Sequence, residues 1–114
     1  MLDPLSSQLE SYLTLVSSRQ RLVASNIANA DTPGYKTKDF DFEAELRNSL
    51  NGGSPAATEV QGLKIKNDGN NVDLDREARL LAENALRFNV ASNLIRSNIK
   101  TLRMAIEGGT GTSS

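Results

Sequence analysis

The chain has 114 residues, of which 38% are hydrophobic and 4% aromatic, and its 13 basic and 14 acidic residues give a formal net charge of −1. This length suits a single domain, and the few aromatic residues predict a small core. Cysteine and histidine are both absent, which excludes disulfide bonds, thiolate chemistry and histidine-based catalysis or metal binding in this chain. The charge balance argues against a protein held on nucleic acid mainly by phosphate contacts.

The N-terminal sequence MLDPLSSQLE lacks the basic and apolar regions of a secretory signal peptide. No stretch of the chain is long and apolar enough to cross a bilayer. We therefore expect no membrane span and no export by the general secretory route.

Two long blocks contain neither glycine nor proline, 5–32 and 70–107, which predicts a helix at each end of the chain. The first helix should run from about Pro4 to Ala30, with Asp3 as its cap. Thr32 precedes Pro33 and should stop it. Its apolar residues alternate in steps of four and three, which is heptad periodicity interrupted by one polar residue, Gln20. The predicted helix-pairing residues are Leu9, Leu13, Val16, Val23 and Ile27.

The last block predicts a longer helix from about Leu74 to Glu107, capped by Asp73 and ended by Gly108 and Gly109. Its apolar stripe again follows heptad steps, so we expect it to pair antiparallel with the first helix. The predicted helix-pairing residues here are Leu81, Phe88, Ile95, Ile99, Leu102 and Ile106.

Each helix also has a second, weaker apolar face. A two-helix hairpin covers one stripe per helix, so we expect the second faces to pack on other subunits. The candidates are Tyr12, Leu15, Leu22, Leu86, Val90 and Leu94. Asparagine is also frequent in both helices, where it is either simple surface polarity or a hydrogen-bonding group that fixes register. Asn26 and Asn29 are the stronger candidates for contacts between subunits.

The middle of the chain predicts a short irregular segment. Residues 38–46 alternate polar and apolar like a strand, yet their Ala, Glu and Leu content favours a short helix from about Phe42 to Leu50. Residues 51–58 should form a flexible loop, and a short strand is possible from Glu59 to Lys66. The predicted fold is mainly α-helical, with an N-terminal helix region at 1–31, a middle segment at 32–72, a C-terminal helix at 73–107 and a disordered tail at 108–114.

No pattern of residues indicates catalysis or cofactor binding. The acids Asp39, Asp41, Glu43 and Glu45 are interpreted as a solvated face opposite two phenylalanines, because no histidine or ligand loop accompanies them. Residues 68–75 resemble a calcium loop but place Val72 and Asp73 where such a loop needs an oxygen ligand and glycine. The basic residues of the last helix match its dipole and do not indicate nucleic-acid binding.

One segment goes beyond periodicity. Residues 25–36, with the sequence SNIANADTPGYK, resemble the N-terminal signature of the bacterial flagellar rod and hook protein family. The stretches FDF at 40–42, DGNNVDLD at 68–75 and AENALRF at 82–88 resemble the proximal rod members of that family. The similarity covers most of the chain outside the 51–58 loop and the tail.

This resemblance implies a structural axial subunit of the flagellar basal-body rod, which crosses the periplasm and transmits torque. It implies export by the flagellar type III export apparatus without a cleaved signal peptide. The implied neighbours are the adaptor FliE, FlgC-type rod proteins and further copies of the chain. The turn at Pro33, Gly34 and Tyr35 should direct the chain away from the paired helices. The rival interpretation is a soluble coiled-coil adaptor or secreted effector that does not polymerise.

Overall fold

The computed structural model describes residues 4–50 and 55–110 of a long, narrow molecule, with extents of 72 × 25 × 17 Å. It confirms the predicted mainly helical fold, in which two long terminal helices pack against each other around a short irregular middle. The elements in chain order are α1 (Pro4–Ala28), β1 (Lys38–Asp39), α2 (Phe42–Leu50), β2 (Thr58–Glu59) and α3 (Leu74–Thr110).

Helix α1 begins at Pro4 and ends at Ala28, two residues before the predicted end. The backbone N–H of Asn29 donates to both Ser25 and Asn26, at 3.1 and 3.2 Å, and Ala30 donates to Ile27. These tighter bonds close the last helical turn before the chain reaches the proline. The predicted cap Asp3 lies outside the described residues.

Helix α3 begins at Leu74, where the Asp73 carboxylate accepts hydrogen bonds from the N–H groups of Asp75 and Arg76 at 3.0 and 3.2 Å. This confirms the predicted cap. The helix runs to Thr110, so the prediction that glycines 108 and 109 end it is wrong. A glycine weakens a helix by about 1 kcal/mol without forcing it to stop. The rest of the predicted tail, 111–114, lies outside the described residues.

The middle segment contains one short helix and one two-stranded pairing. Strand β1 pairs antiparallel with β2, with Lys38 opposite Glu59. The predicted strand from Glu59 to Lys66 is therefore much shorter than expected, since the chain bends at Gly62, where φ is +82°. The predicted helix from Phe42 to Leu50 is confirmed, and Asp41 caps it by accepting from the N–H of Ala44 at 3.2 Å. Residues 51–54 of the predicted loop lie outside the described residues.

The apolar core lies between α1 and this middle segment. It is formed by Leu15, Val16, Phe40 and Phe42, against which Tyr12, Leu22 and Leu46 are half-buried. The Tyr12 and Phe42 rings meet edge to face with centroids 5.4 Å apart. Three residues predicted to contact other subunits, Tyr12, Leu15 and Leu22, thus pack within the chain. The sequence-based prediction did not include this packing, because it assumed that only α3 would pack on α1 within the chain.

Candidate assembly surface

Helices α1 and α3 meet along a seam that is largely polar. Asn98 Nδ2 donates to Ser6 Oγ at 2.7 Å and Asn84 Nδ2 donates to Gln20 Oε1 at 3.2 Å. At the other end of the seam, Asn26 Nδ2 donates to Glu77 Oε1 at 2.7 Å. Residues early in α1 thus face residues late in α3, so the two helices run antiparallel.

A buried ion cluster joins the seam to strand β1. Arg19 contacts Asp39 through two nitrogens, at 2.9 and 3.1 Å, and Arg76 reaches the same carboxylate at 2.6 Å. Arg76 also donates to Glu77 Oε2 at 2.7 Å, and the Glu77 side chain is fully buried. The cluster ties together α1, β1 and α3. Asp39, which was predicted to lie on a solvated acidic face, is therefore buried and ion-paired.

Two pKa values respond to this environment. Burial by itself would raise the pKa of the Asp39 carboxyl, but hydrogen bonds from Arg19 and the Phe40 N–H, with the nearby positive charge, outweigh it and hold that pKa below its usual value. Burial would lower the pKa of Arg76, but its bonds to Glu77 and Asp39 raise it instead. Both groups are therefore held in their charged forms.

Asn26 lies at the centre of the hydrogen-bond network and is 1% exposed. Besides Glu77, its amide donates to the Lys38 carbonyl at 2.9 Å. Its Oδ1 accepts from the Tyr35 hydroxyl at 2.9 Å and from the Lys38 N–H at 3.1 Å. Two donated and two accepted bonds satisfy the side chain fully. Asn26 was predicted to contact another subunit, and the structure places it inside this one instead.

The turn after α1 is held by a second buried asparagine from the loop before α3. Asn70 is fully buried and donates to the carbonyls of Asn29 and Thr32 at 2.8 and 2.9 Å. Its neighbour Asn71 accepts from the Thr37 N–H at 2.6 Å and donates through its backbone to Tyr35 at 3.2 Å. The side chain of Asn29, another predicted interface residue, donates to the Ser25 carbonyl at 2.8 Å and so closes the end of α1.

Two glycines allow these segments to approach closely. Gly34 has φ of +75° and Gly69 has φ of +85°, a region that side-chain-bearing residues rarely adopt. A Cβ built on Gly69 would lie 3.3 Å from Gly34 Cα. The N–H of Gly34 donates to the Asp68 carbonyl at 2.8 Å, and Lys36 Nζ donates to the Gly69 carbonyl. The neighbouring Pro33 is exposed. The predicted turn at residues 33–35 therefore packs on the loop before α3 and also faces solvent, and we call it the docked turn.

The predicted helix-pairing residues fall into two groups. Val16 and Val23 are buried in the subunit, while Leu9, Leu13 and Ile95 are half-buried. The others are exposed, and they are Ile27, Leu81, Phe88, Ile99, Leu102 and Ile106. The difference arises because α3 turns the line containing Glu77, Asn84 and Ala91 toward α1. Its predicted pairing stripe therefore lies beside the seam.

The second predicted stripe of α3 lies on the other side of the seam. Leu86, Val90 and Leu94 are 66, 50 and 50% exposed. Helix α3 thus has apolar side chains flanking both edges of a polar contact line. An apolar surface of this extent on a single chain is typical of a protein that packs against others.

A groove accompanies each of these flanks. One has a volume of about 420 Å³ and is lined mainly by apolar residues of α1 and α3, with Leu46 of α2 at its floor. Its lining residues are Leu5, Gln8, Leu9, Tyr12, Leu46, Val90, Ala91 and Leu94. The other, of about 360 Å³, lies between Val16, Gln20 and Phe88. Both grooves are open to solvent, which suits side chains from a neighbouring protein better than an enclosed small molecule.

Within residues 4–50 and 55–110, no three acidic groups come together in a way that could hold a metal ion. Among the same residues, no helix combines the length and apolar character needed to cross a membrane.

The polar network is the part of the site that sequence reasoning missed. Arg19, Arg76, Asn70 and Asn71 were not singled out as partners of one another. Their long-range contacts join residues 20 to 41 positions apart, and helix or strand periodicity does not predict such pairs. The sequence contained one indication of this network, the stretch DGNNVDLD at 68–75, which contains Asn70, Asn71 and the Asp73 cap of α3.

Comparison with known proteins identifies the class to which this arrangement belongs. Residues 11–36, covering most of α1 and the docked turn, match the family described as flagella basal body rod protein. The match includes Asn26, Gly34 and Tyr35, which the structure places in the network and the turn. The part of the chain that contains most of α1 and this turn is thus similar to flagellar basal body rod proteins.

Full-length relatives narrow the class to one family. The chain is 32% identical over 138 aligned positions to the flagellar basal body rod protein FlgB of Escherichia coli (strain K12), covering 96% of this chain and 99% of the relative. It is 33% identical to FlgB of Salmonella typhimurium, with the same two coverages, and 30% identical to FlgB of Borrelia hermsii, covering 84% of this chain and 90% of that protein. The chain belongs to the FlgB family of flagellar basal body rod proteins. This is a family of structural proteins and not of enzymes, and the comparisons give no support to a soluble adaptor or secreted effector.

Proposed function

We propose that this chain builds the proximal part of the rod by packing the two apolar flanks of α3 against neighbouring subunits, and that it transmits torque through those contacts. The observation that carries the proposal is the distribution of exposed apolar side chains. Of the large hydrophobic residues exposed in the described chain, ten lie on α3 and they occur on both sides of the seam. Burying one Leu or Ile contributes about 1.5–3 kcal/mol, so a few such contacts per interface suffice for firm assembly.

The proposed neighbours are copies of this chain, FlgC-type rod proteins and the adaptor FliE. Support comes from the geometry of the two flanks, which are different surfaces of one helix. Contacts between unlike surfaces are head-to-tail, and they build helical tubes or filaments when the repeated rotation does not close into a ring. A long molecule with its helices nearly parallel to its 72 Å axis suits such a wall.

The proposed route and location follow the same reasoning. The chain would leave the cytoplasm through the flagellar type III export apparatus, keep its N-terminal region and reside in the periplasmic rod. The small core, with eight buried hydrophobic residues among those that the structure describes, supports this because a chain with little buried apolar surface unfolds at low cost for passage through a channel.

A double substitution on one flank tests the proposed packing. Leu86→Asp with Leu94→Asp places two charges on an exposed face without touching a buried contact of the subunit. We expect secretion of the variant chain to continue and rod assembly to fail, measured as loss of swimming and absence of rods in isolated basal bodies. The control is Asn93→Asp, which adds a charge at an exposed polar position of the same helix. Normal motility of the double variant would contradict the proposal.

A further inference from the structure

One line of residues on α3 faces α1 and repeats every seventh position. Its members are Glu77, Asn84, Ala91 and Asn98. The first three are 0, 2 and 2% exposed and Asn98 is half-buried. A spacing of seven keeps residues on one line toward a partner helix, and such a line is ordinarily filled by large apolar side chains. Here the line contains none.

Each polar member of this line has a polar partner on α1. Glu77 accepts from Asn26 at 2.7 Å, and Asn84 donates to Gln20 at 3.2 Å. Asn98 donates to Ser6 at 2.7 Å. Asn98 lies fourteen residues after Asn84 on α3, and Ser6 lies fourteen residues before Gln20 on α1.

The remaining member of the line is Ala91. It lies midway between Asn84 and Asn98, so the antiparallel arrangement places it at the level of Leu13, midway between Gln20 and Ser6. Along this line of α3, the three polar residues therefore have polar partners on α1, and Ala91 lies at the level of an apolar residue.

We propose that this line encodes the register of the two helices, so that only one alignment of α1 on α3 pairs every polar residue of the line with a polar residue of α1. A slip of seven residues would leave each helix with its heptad phase intact. It would, however, bring Leu13 opposite Asn84 or Asn98, and it would bring a polar group of α1 opposite Ala91. A buried polar group without a partner is energetically disfavoured. A seam made only of leucines would have a similar free energy in the observed and slipped alignments, because successive heptads would be alike.

The register has a consequence for the whole subunit. Helix α3 has 37 residues and α1 has 25, so the alignment decides how far α3 projects beyond Pro4. It also decides the height at which each exposed apolar residue of α3 is presented. This inference concerns the chain's own helix pair and holds whether or not the proposed rod contacts are correct.

The absence of cysteine allows a direct test on the full chain. Ser17 and Ala85 line the same groove between the helices, so Ser17→Cys with Ala85→Cys reports the observed register. Ser17→Cys with Ala78→Cys, or with Ser92→Cys, reports a slip of seven residues in either direction. A slip displaces the helices by about 10 Å, so disulfide formation and a thiol crosslinker shorter than that distance distinguish the three alignments.

In the otherwise unaltered chain, the 17–85 product should exceed each slipped product at least about tenfold, the population ratio that corresponds to about 1.4 kcal/mol. A variant carrying Ser6→Ala, Gln20→Leu, Asn84→Ala and Asn98→Ala removes two of the three polar pairs, Gln20–Asn84 and Ser6–Asn98, and retains good helix formers. In that background the slipped products should rise to within a few-fold of the 17–85 product. The two-site variant with Gln20→Leu and Asn84→Ala alone should show a smaller rise, which keeps the test decisive if the four-site variant folds poorly.

The matched control replaces two exposed asparagines of the same helix, Asn89→Ala and Asn93→Ala. It should retain the selectivity of the parent. Equal yields of the three products in the parent would overturn the proposal. Unchanged selectivity in both seam variants would also overturn it, because the Gln20–Asn84 and Ser6–Asn98 pairs would then have no part in setting the register. Failed rod assembly with the observed register intact would count against the proposed function and not against this inference.

Discussion

At the scale of single residues, the fold depends on a few buried polar side chains that each join distant segments. Asn26 connects α1 to β1 and α3, and Asp39 brings together Arg19 and Arg76. In a chain with so small an apolar core, we expect these contacts to contribute more to the fold's uniqueness than to its net stability. The free energy of attraction in a buried ion pair is largely offset by the cost of removing both charges from water.

Removing the Asp39 charge should nevertheless be costly. Asp39→Asn leaves two arginines that are 13 and 16% exposed without their carboxylate, and breaking one side of a buried ion pair typically costs about 3 kcal/mol. We expect a corresponding loss in the free energy of unfolding, measured by circular dichroism in denaturant. The control is Glu83→Gln, which removes an exposed acid of α3 and should change that free energy by less than about 0.5 kcal/mol.

The lowered pKa of Asp39 should make the free energy of unfolding depend on pH in the acid range. The pKa of Asp39 is lower in the folded chain than in the unfolded one, so its contribution is complete above the unfolded pKa of about 4 and is lost as the pH falls through the folded value. Unfolding measured between neutral and acid pH should therefore be steeper with pH below about 4 in the parent than in Asp39→Asn. Equal slopes would show that the ion cluster is not coupled to folding.

Local chemistry made some residues predictable and others not. The cap at Asp73 could be predicted because a helix start needs an acceptor two or three residues from the N–H groups it serves. The burial of Asp39 could not, because its partners lie 20 and 37 residues away and its immediate neighbours resemble a solvated acidic strand.

At the scale of elements, the helices could be predicted but the faces they use could not. The positions of the glycine and proline residues allowed the bounds of α1, α2 and α3 to be predicted to within a few residues. The heptad stripes indicated two apolar faces on each long helix, yet the structure covers one face of α1 with the middle segment and turns a polar line of α3 to the seam. Which face pairs within the chain depends on a third element, and helix periodicity contains no information about it.

The docked turn gives a prediction at this scale. Gly69→Ala should destabilise the chain by both backbone strain and crowding, because φ is +85° and its Cβ would lie 3.3 Å from Gly34 Cα. Gly62→Ala is the matched control, since φ is +82° but its Cβ would meet nothing within 4 Å. Strain alone costs about 1 kcal/mol, so Gly69→Ala should lose measurably more than Gly62→Ala in chemical denaturation. Equal losses would mean that the contact between the two glycine turns adds nothing.

At the scale of the whole molecule, the subunit is a narrow body whose longest helix is only partly covered. Most of its exposed apolar surface lies on α3, on either side of a polar seam. The seam would fix the alignment within the subunit, and the flanks would remain available to neighbours. The FlgB proteins of Escherichia coli and Salmonella typhimurium align with this 114-residue chain over 138 and 137 positions, so they contain insertions that this chain lacks, while the proposed seam and flanks need none of them.

A reconstruction of the isolated basal body at side-chain resolution would test the central claim most directly. We predict that Leu86, Val90 and Leu94 on one flank, and Leu81 and Phe88 on the other, are covered by neighbouring subunits in the assembled rod, with the α1–α3 seam unchanged. A reconstruction in which both flanks face solvent, while neighbours contact only the middle segment at 32–72, would contradict it.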